Sequence, residues 1–166
     1  MFFRRKKQVT RDVAPPSEAY LEPSDSAKKI LLVDDDAVTV TALSLKLKSK
    51  GYRVVTAQDG CQALTVTRTA KPDLLLLDVN FPPNVGGVEW DGFLIAEWLQ
   101  RRDGEQKLPV IVMSGTDKPE YRKRASAAGA AAFLPKPLNS DLLLASIDQA
   151  LKASSEGDPA PTGFSN

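Results

Sequence analysis

Leu74-Leu75-Leu76-Leu77-Asp78 is apolar on both faces until it ends in a carboxylate. That is the pattern of a strand in the middle of a parallel sheet, where helices cover both sides. Ile30-Leu31-Leu32-Val33 is a second such run, and it stops at Asp34-Asp35-Asp36. Working outward, Arg53–Ala57, Val110–Met113 and Ala131–Leu134 read as three further strands. A helical stretch carrying Val38, Leu43, Leu45 and Leu47 follows the first strand and ends near Lys50-Gly51, with glycine as a natural C-terminal stop. Further helices are expected over Gln58–Ala70, Gly92–Arg102, Pro119–Ala128 and Ser140–Lys152. Lys71-Pro72 closes the first of these, because proline disfavours the helical conformation of its predecessor. Five strands alternating with five helices predict an α/β fold: a doubly wound, five-stranded parallel sheet in three layers, with right-handed crossovers.

The ends look different from this middle. Residues 1–27 begin Met1-Phe2-Phe3-Arg4-Arg5-Lys6-Lys7 and contain Pro15-Pro16-Ser17 and Pro23-Ser24-Asp25-Ser26, with neither hydrophobic period. They read as a flexible, basic and proline-rich arm. No apolar stretch follows the charges, so the arm is not a secretory signal. Phe2 and Phe3 beside four cations could touch a partner or an anionic membrane, but a solvated tail accounts for them and membrane contact is not expected. Residues 153–166 hold Gly157, Pro159, Pro161 and Gly163 and read as a disordered tail. Residues 28–152 are the candidate domain, in line with one domain for a 166-residue chain. The tail is too short and too polar to bury a second core. The reading is therefore of a stand-alone domain without a DNA-binding partner domain, expected in the cytoplasm.

Composition narrows the chemistry. Twenty-two Lys and Arg against 21 Asp and Glu leave a formal charge of +1, which gives no global field for nucleic acid or membrane. Cys61 is the one cysteine, and histidine is absent. Internal disulfides, Ser-His and Cys-His catalytic pairs and structural zinc sites are thereby excluded. Any chemistry runs on carboxylates, hydroxyls, Lys or Arg.

In a doubly wound sheet, ligands sit where the carboxyl ends of the strands meet the loops. Those ends carry Asp34-Asp35-Asp36, Asp78, Ser114-Gly115-Thr116 and Pro135-Lys136-Pro137. Brought together, the carboxylates repel unless a cation joins them. Oxygen-only donors favour a hard ion, and Mg²⁺ suits a small site that keeps several waters. Carboxylates, Mg²⁺, a lysine and a hydroxyl make a place to receive a phosphoryl group, with one carboxylate as nucleophile. Each residue also has a plainer reading. Asp35 and Asp36 could cap the first helix, Asp78 could be a turn residue, Ser114 and Thr116 could cap the fourth helix, and Lys136 could be solvated. Their joint occurrence at successive strand ends favours the site.

These segments resemble the receiver domain of response regulators, the phospho-acceptor half of two-component signalling, over about residues 28–152. Lys29–Asp36 matches the opening strand and acid pair, and Leu74–Asp78 the strand with the phosphorylated aspartate. Pro82 falls where the family usually has proline. Val110–Gly115 matches the strand ending in the switch hydroxyl, and Phe133–Pro137 the switch aromatic and lysine. The resemblance implies a flavodoxin-like strand order 2-1-3-4-5. It also implies Asp78 as acceptor, Asp35 as direct Mg²⁺ ligand (Mn²⁺ as a substitute), the backbone carbonyl of Asn80 as another, and Asp34 acting mostly through water. Lys136 would pair with the phosphoryl group, with its bond to Pro137 cis. Ser114 would move toward the phosphate with Phe133 swinging inward behind it, and Gly115 and Thr116 would tune hydrolysis. Asp91-Gly92 matches the family's Asp-Gly but lies several residues further from the acceptor. The interval from Asp78 to Ser114, 36 residues, is correspondingly long. The extra residues, Pro83 to Trp90, are either a tolerated surface insertion or a loop in which Trp90 shapes access to the acceptor.

By the same resemblance, a histidine kinase or histidine phosphotransfer protein supplies the phosphoryl group. A downstream protein then reads the face of helix four, strand five and helix five, where Tyr121, Arg122, Lys123 and Arg124 lie. Such a domain is not an enzyme in its own right. Two other readings stand beside it: a phosphorylation-independent partner-binding module, and a small Mg²⁺-dependent phosphatase.

Overall fold

The computed structural model describes residues 26–80, 91–100 and 107–156. The arm 1–25, the expected insertion with Trp90, Arg101 and Arg102, and residues 157–166 lie outside the described residues. The elements run β1 (Lys29–Val33), α1 (Ala37–Ser49), β2 (Arg53–Ala57), α2 (Gly60–Ala70), β3 (Leu74–Asp78), α3 (Gly92–Gln100), β4 (Val110–Ser114), α4 (Pro119–Ala127), β5 (Ala132–Pro135) and α5 (Ser140–Glu156). All pairings are parallel, in the order β2-β1-β3-β4-β5. This is the doubly wound order that the resemblance implied.

The pleat divides the core. Leu31, Val33, Leu75, Leu77 and Val112 pack with Ala63 of α2, Phe93 and Ile95 of α3 and Ala125 of α4. The alternate residues Ile30, Leu32, Leu74, Leu76 and Ile111 pack with Leu43 and Leu47 of α1 and Leu143 and Ile147 of α5. β3 therefore has both faces covered, and its four leucines are fully buried, each contributing roughly 2 kcal/mol.

Caps set the element ends. Asp36 accepts hydrogen bonds from the amides of Val38 and Thr39 and starts α1; these bonds, led by that of the Thr39 hydroxyl, hold its carboxyl below the usual range. Beyond α1, Gly51 takes φ +87°, which glycine adopts without a Cβ clash. Asp59 caps α2 by accepting from the Gln62 amide at 2.8 Å, so that helix opens at Gly60, not at Gln58 as expected. Asn139 caps α5 by accepting from the amides of Asp141 and Leu142.

The largest correction is at the carboxyl end. α5 runs to Glu156, so residues 153–156 belong to the helix and not to a disordered tail. Ala153, Ser154 and Ser155 do not break a helix, and the first residue that does is Gly157. The Ser155 hydroxyl donates to the Leu151 carbonyl at 2.9 Å.

Tyr52, at the start of β2, donates its hydroxyl to Asp148 of α5 at 2.7 Å. Burial, then that carboxylate, pushes its phenol up to about 12. The unfolded phenol titrates at about 10. The contribution to stability is therefore complete below pH 10 and is lost as pH rises toward 12. An ultraviolet pH titration should show a late-ionising phenol that Tyr52→Phe removes, together with part of the alkaline loss of stability. A Tyr52 phenol ionising near pH 10 would count against this contact.

Candidate functional site

β1 and β3 are neighbours, and both end in carboxylates at the same edge. Asp34 and Asp78 keep the parity of Leu32 and Leu76, and both are buried, at 0% and 4% exposure. The β5–α5 connection brings Lys136 to them. Its backbone amide donates to the Ser114 carbonyl at 2.7 Å, and its peptide bond to Pro137 is cis, as expected. Its Nζ donates to Asp34 Oδ2 at 2.6 Å and to Asp78 Oδ2 at 2.7 Å. The other oxygens are held by backbone: Asp34 Oδ1 accepts from the Asp36 amide at 2.9 Å, and Asp78 Oδ1 from the Asn80 amide at 3.0 Å.

The three adjacent aspartates of β1 thus divide their work. Asp34 faces the lysine, Asp36 caps α1, and Asp35 is exposed with no hydrogen-bond or ion-pair partner among the described residues. Carboxylate oxygens of Asp34, Asp35 and Asp78 lie within 4.8 Å of one another. One ammonium against three carboxylates leaves the site negative. Burial, opposed by the Lys136 and Asn80 hydrogen bonds and aided by the Asp34 charge, raises the Asp78 carboxyl above its ordinary value. Burial works to lower Lys136, but its bonds to Asp34 and Asp78 outweigh that and leave it raised. A hard divalent cation fits this donor set, because all its atoms are oxygen and Asp35 has a free carboxylate.

Ser114 is fully buried, and its Oγ accepts from the Thr116 amide at 3.0 Å and the Asn80 side chain at 3.4 Å. Neither Ser114 nor Thr116 caps α4, whose N-cap is Lys118, followed by Pro119. Gly115 has room: a Cβ there would meet only Asn80 Nδ2, at 3.8 Å. Phe133 is 3% exposed, with the Arg122 guanidinium 5.0 Å above its ring. Arg122 also pairs with Asp117 at 2.8 Å, one residue beyond Thr116.

The structure adds residues whose roles the sequence did not show. Asp91 accepts from the Phe93 amide at 2.9 Å and pairs with Arg124. Arg124 in turn lies 4.4 Å over the Phe93 ring, tying α3 to α4. Arginines 122 and 124, expected on a solvated or partner face, thus rest on aromatic rings. Gly92 is where α3 meets the end of β3. A Cβ there would fall 2.5 Å from the Asp78 carbonyl oxygen and 2.7 Å from Val79 Cα. Both are backbone atoms, so Gly92→Ala should lower stability by about 2 kcal/mol in denaturant unfolding; an unchanged midpoint would contradict this packing.

Parallel strands that deliver an acid cluster and a lysine to one edge define an α/β domain with an anionic site at the carboxyl ends of its strands. The comparisons specify it. The family profile described as response regulator receiver domain matches residues 30–148, and the chain belongs to that family, whose domains signal with histidine kinases and downstream effectors. It is 36% identical over 135 residues to "Response regulator MprA" of Mycobacterium sp. (strain KMS), covering 80% of this chain and 55% of that protein. It is 32% identical over 143 residues to "Gliding motility regulatory protein" of Myxococcus xanthus, covering 86% of this chain and 17% of that one. The chain therefore spans about half or less of the length of these curated relatives. Among solved structures it resembles the chemotaxis protein CheY4 of Vibrio cholerae, with TM-score 0.67 and 29% identity over 75% of this chain and 99% of that one. Among the described residues, no helix is long and apolar enough to cross a membrane.

Proposed function

We propose that Asp78 is a phosphoryl acceptor, supplied by a phosphohistidine on a partner kinase or phosphotransfer protein in the cytoplasm. The observation that carries this is the single Lys136 ammonium bonded to both Asp34 and Asp78, beside the unpaired carboxylate of Asp35. An Asp78 oxygen attacks phosphorus; an O–P bond forms as the donor's N–P bond breaks, its electron pair returning to the imidazole. Lys136 then trades its Asp78 contact for the phosphoryl oxygens. Asp35, Asp78 and the Asn80 backbone carbonyl would hold Mg²⁺ or Mn²⁺, with Asp34 acting through water, and the ion would neutralise charge on the transferred group. Ser114 leaves Asn80 and the Thr116 amide to donate its hydroxyl to a phosphoryl oxygen. Because Asp117 links that segment to Arg122 and Arg122 covers Phe133, the movement reaches the face of α4, β5 and α5 that a downstream protein reads. Gly115 and Thr116, at the mouth of this segment, set how readily water reaches the acyl phosphate.

Incubation with acetyl phosphate and Mg²⁺, followed by intact mass, tests this reading. One acid-stable, base-labile phosphoryl adduct is expected, absent in Asp78→Asn and after chelation of the metal. No adduct would favour a phosphorylation-independent module. Multiple turnover on other phosphate esters would favour a phosphatase.

A further inference from the structure

At the opposite edge of the sheet lies a cleft of about 610 Å³. It is bounded by the segments entering β1, β3 and β4 and by the last turns of α2 and α5. Its distance from Asp78 is a strand length or more, roughly 16 Å at about 3.3 Å per residue. Among the described residues, Lys28, Arg68, Lys71 and Lys107 line it against one carboxylate, Asp73. That carboxylate is already engaged, by Lys28 at 3.0 Å and the Lys29 amide at 2.8 Å. Arg68, Lys71 and Lys107 have no ion-pair partner among the described residues.

Helix dipoles account for only part of this excess: they favour Arg68 in the last turn of α2 and Lys71 as its C-cap. The Ala70 carbonyl at the end of α2 already accepts from Lys29 Nζ at 2.5 Å, and Arg68 is the one basic residue in that helix's last turn. Lys107 belongs to no helix. Lys71 is the one non-glycine at positive φ (+47°) among the described residues, in a conformation that glycine or asparagine adopts more readily. A lysine kept there at the cost of strain points to a use for its charge. Pro109 and Leu151 add apolar surface to the lining, and the size of the cleft falls within the range of small-molecule sites.

We propose that this cleft binds a small phosphorylated organic molecule with at least two anionic groups, such as a nucleoside diphosphate. The cations take the phosphates, and the apolar lining takes the ring. The site is independent of Asp78.

The test is an amide-resolved NMR titration of the full chain with ADP and, separately, inorganic pyrophosphate, at fixed ionic strength and without divalent cations. Saturable shifts are expected at residues 67–73, 107–108 and 151–155, with ADP binding more tightly than pyrophosphate. The double variant Lys71→Gly, Lys107→Ala should bind roughly tenfold more weakly. Glycine suits the positive φ at position 71, so loss of binding there does not report unfolding. Asp78→Asn should bind as the parent does, which separates this site from the phosphoryl acceptor. Four results would each overturn the proposal: no saturation in the millimolar range, equal shifts with sulfate, an unaffected double variant, or saturable binding of a glutamate-rich peptide with none of ADP.

Discussion

Asp78→Asn is expected to abolish phosphoryl acceptance completely while melting no lower than the parent protein. The two effects share one cause. Asp78 is 4% exposed and stands beside the buried Asp34, and burial raises its carboxyl above the ordinary value. A raised carboxyl means that the folded state disfavours the ionised form relative to the unfolded chain, so ionisation of Asp78 works against folding. Asparagine keeps the shape and one oxygen, which can accept from Lys136 Nζ or from the Asn80 amide but not from both, yet it removes one of three crowded negative charges. Lys136 and Asp34 then remain as a balanced pair at 2.6 Å. The lost function is equally direct, because an amide oxygen does not form the acyl phosphate. Calorimetry beside intact mass measures both; a variant melting well below the parent would contradict the electrostatic account.

Lys136→Met acts in the opposite direction. The methionine removes the one ammonium that bonds both buried carboxylates, and breaking such an arrangement from one side costs about 3 kcal/mol at neutral pH. The deficit depends on pH. Without Lys136, two influences that lower the Asp78 carboxyl disappear, so its pKa rises further. The folded variant then holds a proton that the unfolded chain releases at about 3.9. Its stability falls as pH rises through the window between that value and the raised one. Denaturant unfolding at a series of pH values should therefore show the smallest deficit in acid and the largest near neutrality. Added Mg²⁺ should restore part of the neutral-pH loss, because a divalent cation bound to the folded state takes over the neutralising charge. A deficit equal at all pH values would mean that lost packing, not charge, is responsible.

Much of this was legible in the chain because the signals were unambiguous in period. Leu74–Leu77 is too continuous for an exposed strand and too short for a helix, and its ending in Asp78 marked the strand edge that matters. The division of labour within Asp34-Asp35-Asp36 was not legible. Three adjacent carboxylates have the same chemistry on paper, and only the pleat of β1 and the first turn of α1 send one to the lysine, one to solvent and one to the helix amides. Tertiary distance hid the arginines for a similar reason. Arg122 and Arg124 look like a solvated helix face until β5 and α3 bring Phe133 and Phe93 beneath them. Asp91-Gly92 was visible as a dipeptide, but the need for glycine lies in the approach of α3 to the backbone of Asp78 and Val79. The end of α5 is hidden in the sequence because Ser154 and Ser155 run into the glycines and prolines beyond them, although serine leaves a helix intact.

The most direct measurement locates the modified atom. After reaction with acetyl phosphate and Mg²⁺, borohydride converts an aspartyl phosphate to homoserine, which tandem mass spectrometry assigns to a position in the chain. Homoserine at position 78 alone is the predicted result; homoserine at Asp34 or Asp35, or at no position, would contradict the assignment of Asp78 as acceptor.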